Sequence, residues 1–316
     1  MPSRPPLAGR TALLLRSADR AGPALAELAD RGAAVLLCPL IDHELPRDTT
    51  EFDDGVRRLL DGAFDWLLLT SRSTVQALCR RAAELRPTGS AGPAGPAGSD
   101  GPRDAPRGMP VDGPGDFSLE VPATTRVAVV GEATAAAAAA AGLRVDYRPV
   151  HDHSARGMLA EWPQPDRPSI GSTVFMPQAD LAAPTLADGL HAWGAEVSVA
   201  IAYCTVDAPA DPARRLTVPG SGQPRPDLGP SELAAAAGVP PAVQAVLLTS
   251  PSIVRRYLAL AGAVPSGPAG IAIGDSTAHE MRRHGWEPAA VAAQPTPTGL
   301  ADAWEHAVRV AAPPGG

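Results

Sequence analysis

Lysine is absent from this chain of 316 residues, so all 27 basic side chains are arginine. That excludes a lysine Schiff base, a pyridoxal-phosphate lysine and a P-loop lysine. Cysteine is scarce. Cys38, Cys79 and Cys204 stand far apart, with no Cys-x-x-Cys pair and no zinc spacing. They read as small core residues in a reducing compartment, the cytoplasm. No run approaches the ~18 apolar residues of a membrane helix. The apolar start, Thr11 to Leu15, is too short for the core of a signal peptide. Positive charge is not in excess: the formal net charge is −7, which gives no support for a nucleic-acid surface. There is no catalytic-triad motif and no Gly-x-Gly-x-x-Gly. His151-Asp152-His153 has no third metal ligand at useful spacing and reads as a solvated loop.

What is present is a repeat. Leu68-Leu69-Thr70-Ser71-Arg72-Ser73-Thr74-Val75 recurs as Leu247-Leu248-Thr249-Ser250-Pro251-Ser252-Ile253-Val254. In each, an apolar run enters a hydroxyl-rich turn and a helical pattern leaves it. Two more blocks recur in the same order. Val127 to Ala135 matches Ile271 to Ala278, and Gly142 and Gly285 each follow the block's glycine by eleven residues. Asp19 to Leu25 matches Asp180 to Leu186, including the Asp, Pro and Leu. Gly157 and Trp162 share the five-residue spacing of Gly299 and Trp304. Three ordered matches mark an internal duplication. Each block reads as strand, turn and helix, so each copy is expected to build a mostly parallel sheet covered by helices, with strand-end turns lining a cleft between two lobes.

The pattern predicts strands at Thr11–Leu15, Ala34–Leu37, Phe64–Leu69, Arg126–Val130, Val145–Tyr147 and Thr173–Met176. It predicts helices at Ala24–Arg31, Glu51–Leu60, the segment ending near Leu85, and Gly157–Trp162. From 86 to 121 periodicity is lost in favour of Gly, Pro and Asp, including Gly-Pro-Ala-Gly-Pro-Ala-Gly. This segment is expected to be a disordered insert. A shorter Pro-rich insert spans Ala208 to Pro230.

The residues able to carry chemistry are turn hydroxyls, turn arginines and a tyrosine. Thr70, Ser71, Ser73, Thr134, Thr249, Ser250, Ser252, Ser276 and Thr277 all fall at strand-to-helix turns. Singly, each reads as a helix cap worth ~0.5–2 kcal/mol. Together, at the same two turns of both copies, they suit a ligand with several carboxylates or phosphates held by helix N-termini without lysine. Tyr203 lies in the apolar stretch Ala200 to Val206. It reads either as a packing residue or as a neutral phenol able to donate a proton.

These motifs, in this order, resemble the uroporphyrinogen-III synthase family. The resemblance runs from Thr11 to about Trp304, outside the inserts. It rests on the strand with Arg16, the two Thr-Ser turns, and Gly194-Ala195-Glu196-Val197 leading to Tyr203-Cys204-Thr205-Val206. Its most specific part is Ile271 to Glu280 followed by Pro295-Thr296-Pro297-Thr298-Gly299-Leu300.

The resemblance implies an α/β fold of two flavodoxin-like lobes joined by a two-stranded linker near 38–42 and 202–206. The first lobe would be discontinuous, 1–38 with 207–316, and the second would be 43–201. It implies a lyase that cyclises the linear tetrapyrrole hydroxymethylbilane to uroporphyrinogen III, losing water and inverting the terminal pyrrole ring. No metal or other cofactor is implied, and no nucleic-acid or membrane partner. The implied protein works as a monomer in the cytoplasm. Tyr203 is implied as the catalytic residue. Arg16, Thr70, Ser71, Arg72, Ser73, Thr134, Thr249, Ser250, Ser252, Ser276 and Thr277 are the candidate substrate-binding residues. The alternative is a non-catalytic relative that binds a tetrapyrrole or polycarboxylate in a regulatory role.

Overall fold

Short apolar runs bounded by turn formers become the strands of this protein, and the amphipathic segments between them become helices. The computed structural model describes residues 5–86, 119–216 and 227–311. Its elements begin with β1 (Thr11–Leu14), α1 (Ala18–Asp30), β2 (Ala34–Leu37), β3 (Ile41–Glu44), α2 (Thr50–Leu60), β4 (Trp66–Leu69) and α3 (Arg72–Leu85). There follow β5 (Arg126–Val129), α4 (Glu132–Ala140), α5 (Ala155–Glu161), β6 (Thr173–Ala179), α6 (Thr185–Ala192) and β7 (Glu196–Asp207). The last are α7 (Pro230–Ala235), β8 (Ala245–Leu248), α8 (Pro251–Ala261), β9 (Ala269–Ala272), α9 (Asp275–Arg283), β10 (Ala290–Val291) and α10 (Pro297–Ala311).

The chain divides into two compact units. The first holds Met1–Asp42, Val206–Ala213 and Gly222–Gly316; the second holds His43–Thr205 and Arg214–Ser221. In the first, a five-stranded sheet has the order β10-β9-β8-β1-β2, with parallel pairing throughout. This is the 2-1-3-4-5 strand order of flavodoxin-like folds. Successive residues of the short strands face opposite layers. Ala12, Leu14, Leu247 and Ile271 pack with α1 and α10 through Leu28, Leu300 and Trp304. Leu13, Val246, Leu248 and Ala272 pack with the other helices through Leu233, Val254, Tyr257 and Met281.

The sheet of the second unit has the order β3-β7-β6-β4-β5. Tyr147 adds a single parallel bridge to Ala128 beyond β5. Thus β7-β6-β4-β5 and the Tyr147 bridge repeat β2-β1-β8-β9-β10, and β3 is an addition at the edge. Phe52, Val56, Leu59, Leu78 and Ala138 cover one face of this sheet. Met158, Trp162, Leu186 and Leu190 cover the other. The matched tryptophans, Trp162 and Trp304, are both buried in equivalent layers.

The matched glycines have a shared physical cause. A Cβ on Gly157 would collide with the carbonyl oxygen of Asp152, and one on Gly299 with that of Gln294, each five residues upstream. Gly157 N donates to Ser154 Oγ (3.1 Å) and Gly299 N to Thr296 Oγ1 (3.0 Å).

Several local expectations need correction. The helix predicted from Ala24 starts at Ala18 and carries Pro23 inside it, at the expense of one intrahelical hydrogen bond. The strand expected at Val145–Tyr147 is only the Tyr147 bridge. The Gly/Pro-rich insert lies, over 87–118, outside the described residues, as does 217–226 of the second insert. The first insert ends sooner than expected: Leu119 is buried, and its N–H donates to Ala141 O at 2.9 Å. In the second insert Ala210 and Leu216 are buried as well.

Candidate active site

In a parallel sheet the strands deliver their C-terminal ends to one edge, and the helices that follow begin there with unpaired N–H groups. In the second unit that edge carries Thr70, Ser71, Arg72 and Ser73 after β4 and the Gly131 turn with Thr134 after β5. In the first unit it carries Arg16 after β1, Thr249, Ser250 and Ser252 after β8, and Ser276 and Thr277 after β9.

These hydroxyls are not equivalent. Ser71 and Ser250 are true N-caps, accepting from Thr74 N (3.1 Å) and Ile253 N (3.3 Å). The side chains of Ser73, Thr134 and Thr277 are buried. They sit in the first turn of their helices, on the side packed against the sheet. At α4 and α9 the caps are Gly131 and Gly274, which have no side chain to offer the helix N–H groups. Ser276 is exposed, and Thr70, Arg72, Thr249, Ser252 and Arg16 are half-buried.

Tyr203 belongs to the second unit. β6 and β7 pair in regular parallel register to Gln178↔Ile201, then skip to Ala179↔Tyr203. Ala202 is the extra residue, so β7 carries a bulge immediately before the tyrosine. Strict alternation would put Tyr203 on the face of Val199 and Ile201, which are exposed. The bulge turns it instead to the face of Ala200 and Ala202, where α3 packs. Asp180 holds the kink from both sides. Its N–H donates to Tyr203 O (3.0 Å), and its Oδ1 accepts from Thr205 N (3.0 Å).

On that face the tyrosine is only 7% exposed and meets the His43 ring edge-on, with centroids 5.1 Å apart. Ser71 Oγ donates to the phenol oxygen at 3.1 Å. Ser71 Oγ also lies 2.9 Å from Thr74 Oγ1. A serine has one proton to give. With that proton directed at Tyr203, the Thr74 hydroxyl must donate to Ser71. The phenol oxygen is therefore an acceptor within the fold, and its own proton has no acceptor among the described residues. Next in the strand, burial first, then the carboxylates of Asp180 and Glu44, push the Cys204 thiol upward, away from the thiolate form. Among the described residues no group of His, Cys, Asp and Glu is arranged to hold a metal.

The family model described as uroporphyrinogen-III synthase HemD matches residues 23–302. The chain belongs to the uroporphyrinogen-III synthase family. A curated uroporphyrinogen-III synthase from Synechococcus elongatus is 28% identical over 210 residues, spanning 65% of this chain and 66% of that protein, just under two thirds of its length. Two solved structures share the fold. A mutant uroporphyrinogen III synthase from the extremely thermophilic bacterium Thermus thermophilus has a TM-score of 0.51 at 18% identity, covering 95% of this chain and 99% of its own. The uroporphyrinogen-III synthetase of Helicobacter pylori has a TM-score of 0.50 at 14% identity, with the same coverage. At such identities these likenesses bear on architecture alone.

The resemblance carried by the sequence pointed to Tyr203 and the turns. It did not single out His43 or Thr74, the other residues that touch the tyrosine or its partner. Thr74 left a faint signal, as a hydroxyl three positions after a capping serine. His43 left none, because its contact depends on how β3 is placed.

Proposed function

We propose that this protein is a uroporphyrinogen-III synthase. It cyclises hydroxymethylbilane to uroporphyrinogen III, with inversion of the terminal pyrrole ring and loss of one water. The observation that carries this reading is the phenol of Tyr203: fixed by Ser71, set in an apolar surround, and with its own proton uncommitted. The terminal hydroxyl of the substrate is a poor leaving group until it is protonated. The phenol donates that proton, the C–O bond breaks and water departs. The proton released when the macrocycle closes restores the phenol, so the reaction is balanced without redox change.

The eight carboxylates of the substrate match a protein that offers helix N-termini and arginines rather than lysines. We assign carboxylate contacts to the first turns of α3 and α4 in the second unit and of α8 and α9 in the first. Their anion preference comes from unpaired N–H groups and the helix dipole. Arg16 and Arg72 add charge at the same sheet edges, and Thr70, Thr249, Ser250, Ser252 and Ser276 add hydroxyl donors, while the Ser71 proton is directed at Tyr203. The N–H groups of Thr134 and Thr277 already donate to Gly131 O and Gly274 O, at 3.1 Å each, so these two residues and the buried Ser73 shape the turns. Holding a flexible chain in a ring-closing geometry is itself a large part of such catalysis. No helix of the described residues is long and apolar enough to cross a membrane. The reading carries with it a monomer acting in the cytoplasm on a small-molecule substrate.

The test is a discontinuous assay with freshly prepared hydroxymethylbilane. Product isomers are separated after oxidation to the porphyrins. The type III isomer should dominate and scale with enzyme. Only the type I isomer, which forms spontaneously, would mean a non-catalytic relative.

A further inference from the structure

The hydroxyls of Thr74, Ser71 and Tyr203 form a chain on the buried face of the second unit. Thr74 is fully buried in the first turn of α3. Its Oγ1 is 2.9 Å from Ser71 Oγ, which is 3.1 Å from the Tyr203 oxygen. Ser71 also accepts from Thr74 N at 3.1 Å. Because the Ser71 proton goes to the phenol, the Thr74 hydroxyl is the donor in the Ser71–Thr74 pair, and both acceptor positions of Ser71 Oγ are then filled.

The duplicated turn lacks this arrangement. There the capping serine accepts from Ile253 N, and its hydroxyl is paired with Ser252 at 3.0 Å. Ile253 stands where Thr74 does and has no hydroxyl to give. Helix capping therefore needs the serine but not the threonine, so the Thr74 hydroxyl has a use beyond the cap.

We infer that Thr74, through Ser71, is a positioning residue that orients the Tyr203 phenol as a donor. Without the Thr74 proton, Ser71 is free to turn and accept from Tyr203 instead, and the phenolic proton is then directed into the fold. With it, Ser71 is committed to donate, and the phenolic proton remains available to a departing hydroxyl. This inference rests on the proposed role of Tyr203. It adds that the direction of the hydrogen bond is set one residue further back.

Thr74→Val keeps the shape and the backbone N–H and removes only the hydroxyl. It should lower single-turnover kcat about five- to tenfold, the rate equivalent of one neutral hydrogen bond. KM should not move, because the effect is on the chemical step. Thr74→Ser should restore the rate. In a Tyr203→Phe background Thr74→Val should have no further effect on rate, since nothing is left to orient. The chain has three tyrosines, so tyrosine carrying carbon-13 at Cζ gives three signals, and Tyr203→Phe identifies the one of interest. That signal should shift in Thr74→Val and return in Thr74→Ser. An unmoved signal in a folded Thr74→Val protein overturns the relay. So does an equal loss of rate with and without the Tyr203 hydroxyl. A signal that shifts while Tyr203→Phe retains full activity sinks the catalytic reading of the tyrosine and leaves the relay as a structural fact.

Discussion

The turns after β4 and β8 begin with the same four residues, Leu-Leu-Thr-Ser, and make the same backbone structure. Each serine sits in extended conformation and caps the next helix through the N–H three residues on. They differ in where the serine hydroxyl points. Ser71 reaches Tyr203, a residue 132 positions away, whereas Ser250 pairs with Ser252 within its own turn. Two copies of one motif thus keep a shared structural role, and only one has acquired a long-range partner. The lesson is that the repeat identifies the scaffold, and departures from the repeat identify candidates for chemistry. Arg72 against Pro251, Thr74 against Ile253, and the bulge before Tyr203 are such departures.

The sharpest way to break this comparison is at Tyr203. Tyr203→Phe keeps the ring against His43 and removes the hydroxyl. Single-turnover formation of the type III isomer should slow by roughly 10²–10⁴-fold, the usual contribution of a general acid. Thermal melting should be little changed. Unaltered rates from a folded variant would leave both turns as scaffold and nothing more.

The two copies should respond alike where they are alike. Gly157→Ala and Gly299→Ala each drive a methyl group into a backbone carbonyl that cannot swing away. Each should destabilise its unit by about 1–3 kcal/mol, as overpacking does. Chemical denaturation of both variants checks this. If one is tolerated and the other is not, the two glycines are not true counterparts.

Smaller and more informative is the serine pair. Ser71→Ala and Ser250→Ala should each cost about 1 kcal/mol of stability from the lost cap. Only Ser71→Ala should also lower kcat beyond what its altered stability explains, because it alone removes a hydrogen bond to Tyr203. Equal kinetic losses from both would erase the distinction drawn between the turns.

The smallest effect is expected from the difference that looks largest in the sequence. The first copy carries the Gly/Pro-rich segment, and the second has no counterpart at that place. Its composition offers little apolar surface to bury. Removing Thr88 to Asp116 should leave melting temperature and activity almost unchanged. A large fall in either would show that the segment packs on the fold.

Much of this protein is determined by local pattern. Apolar runs of four residues, hydroxyl turns and repeated glycines are short-range signals, and their ordered recurrence is enough to give two α/β copies. The spacing of Gly157 to Trp162 and of Gly299 to Trp304 was legible because a steric clash and a buried ring act within one helix. Other features have no local signature. Which blocks share a sheet depends on free energies of packing between segments more than a hundred residues apart, and the resemblance to a family, rather than the pattern, pointed to the discontinuous first lobe. Whether a turn hydroxyl faces solvent or the sheet depends on helix phase within the first turn, which is why Ser73, Thr134 and Thr277 turned out to be buried. Tyr203 is the clearest case. Alternation along Ala200 to Thr205 would place it on the exposed face. Only the pairing of β6 with β7 decides that Ala202 is skipped, and that one-residue shift brings the phenol to Ser71.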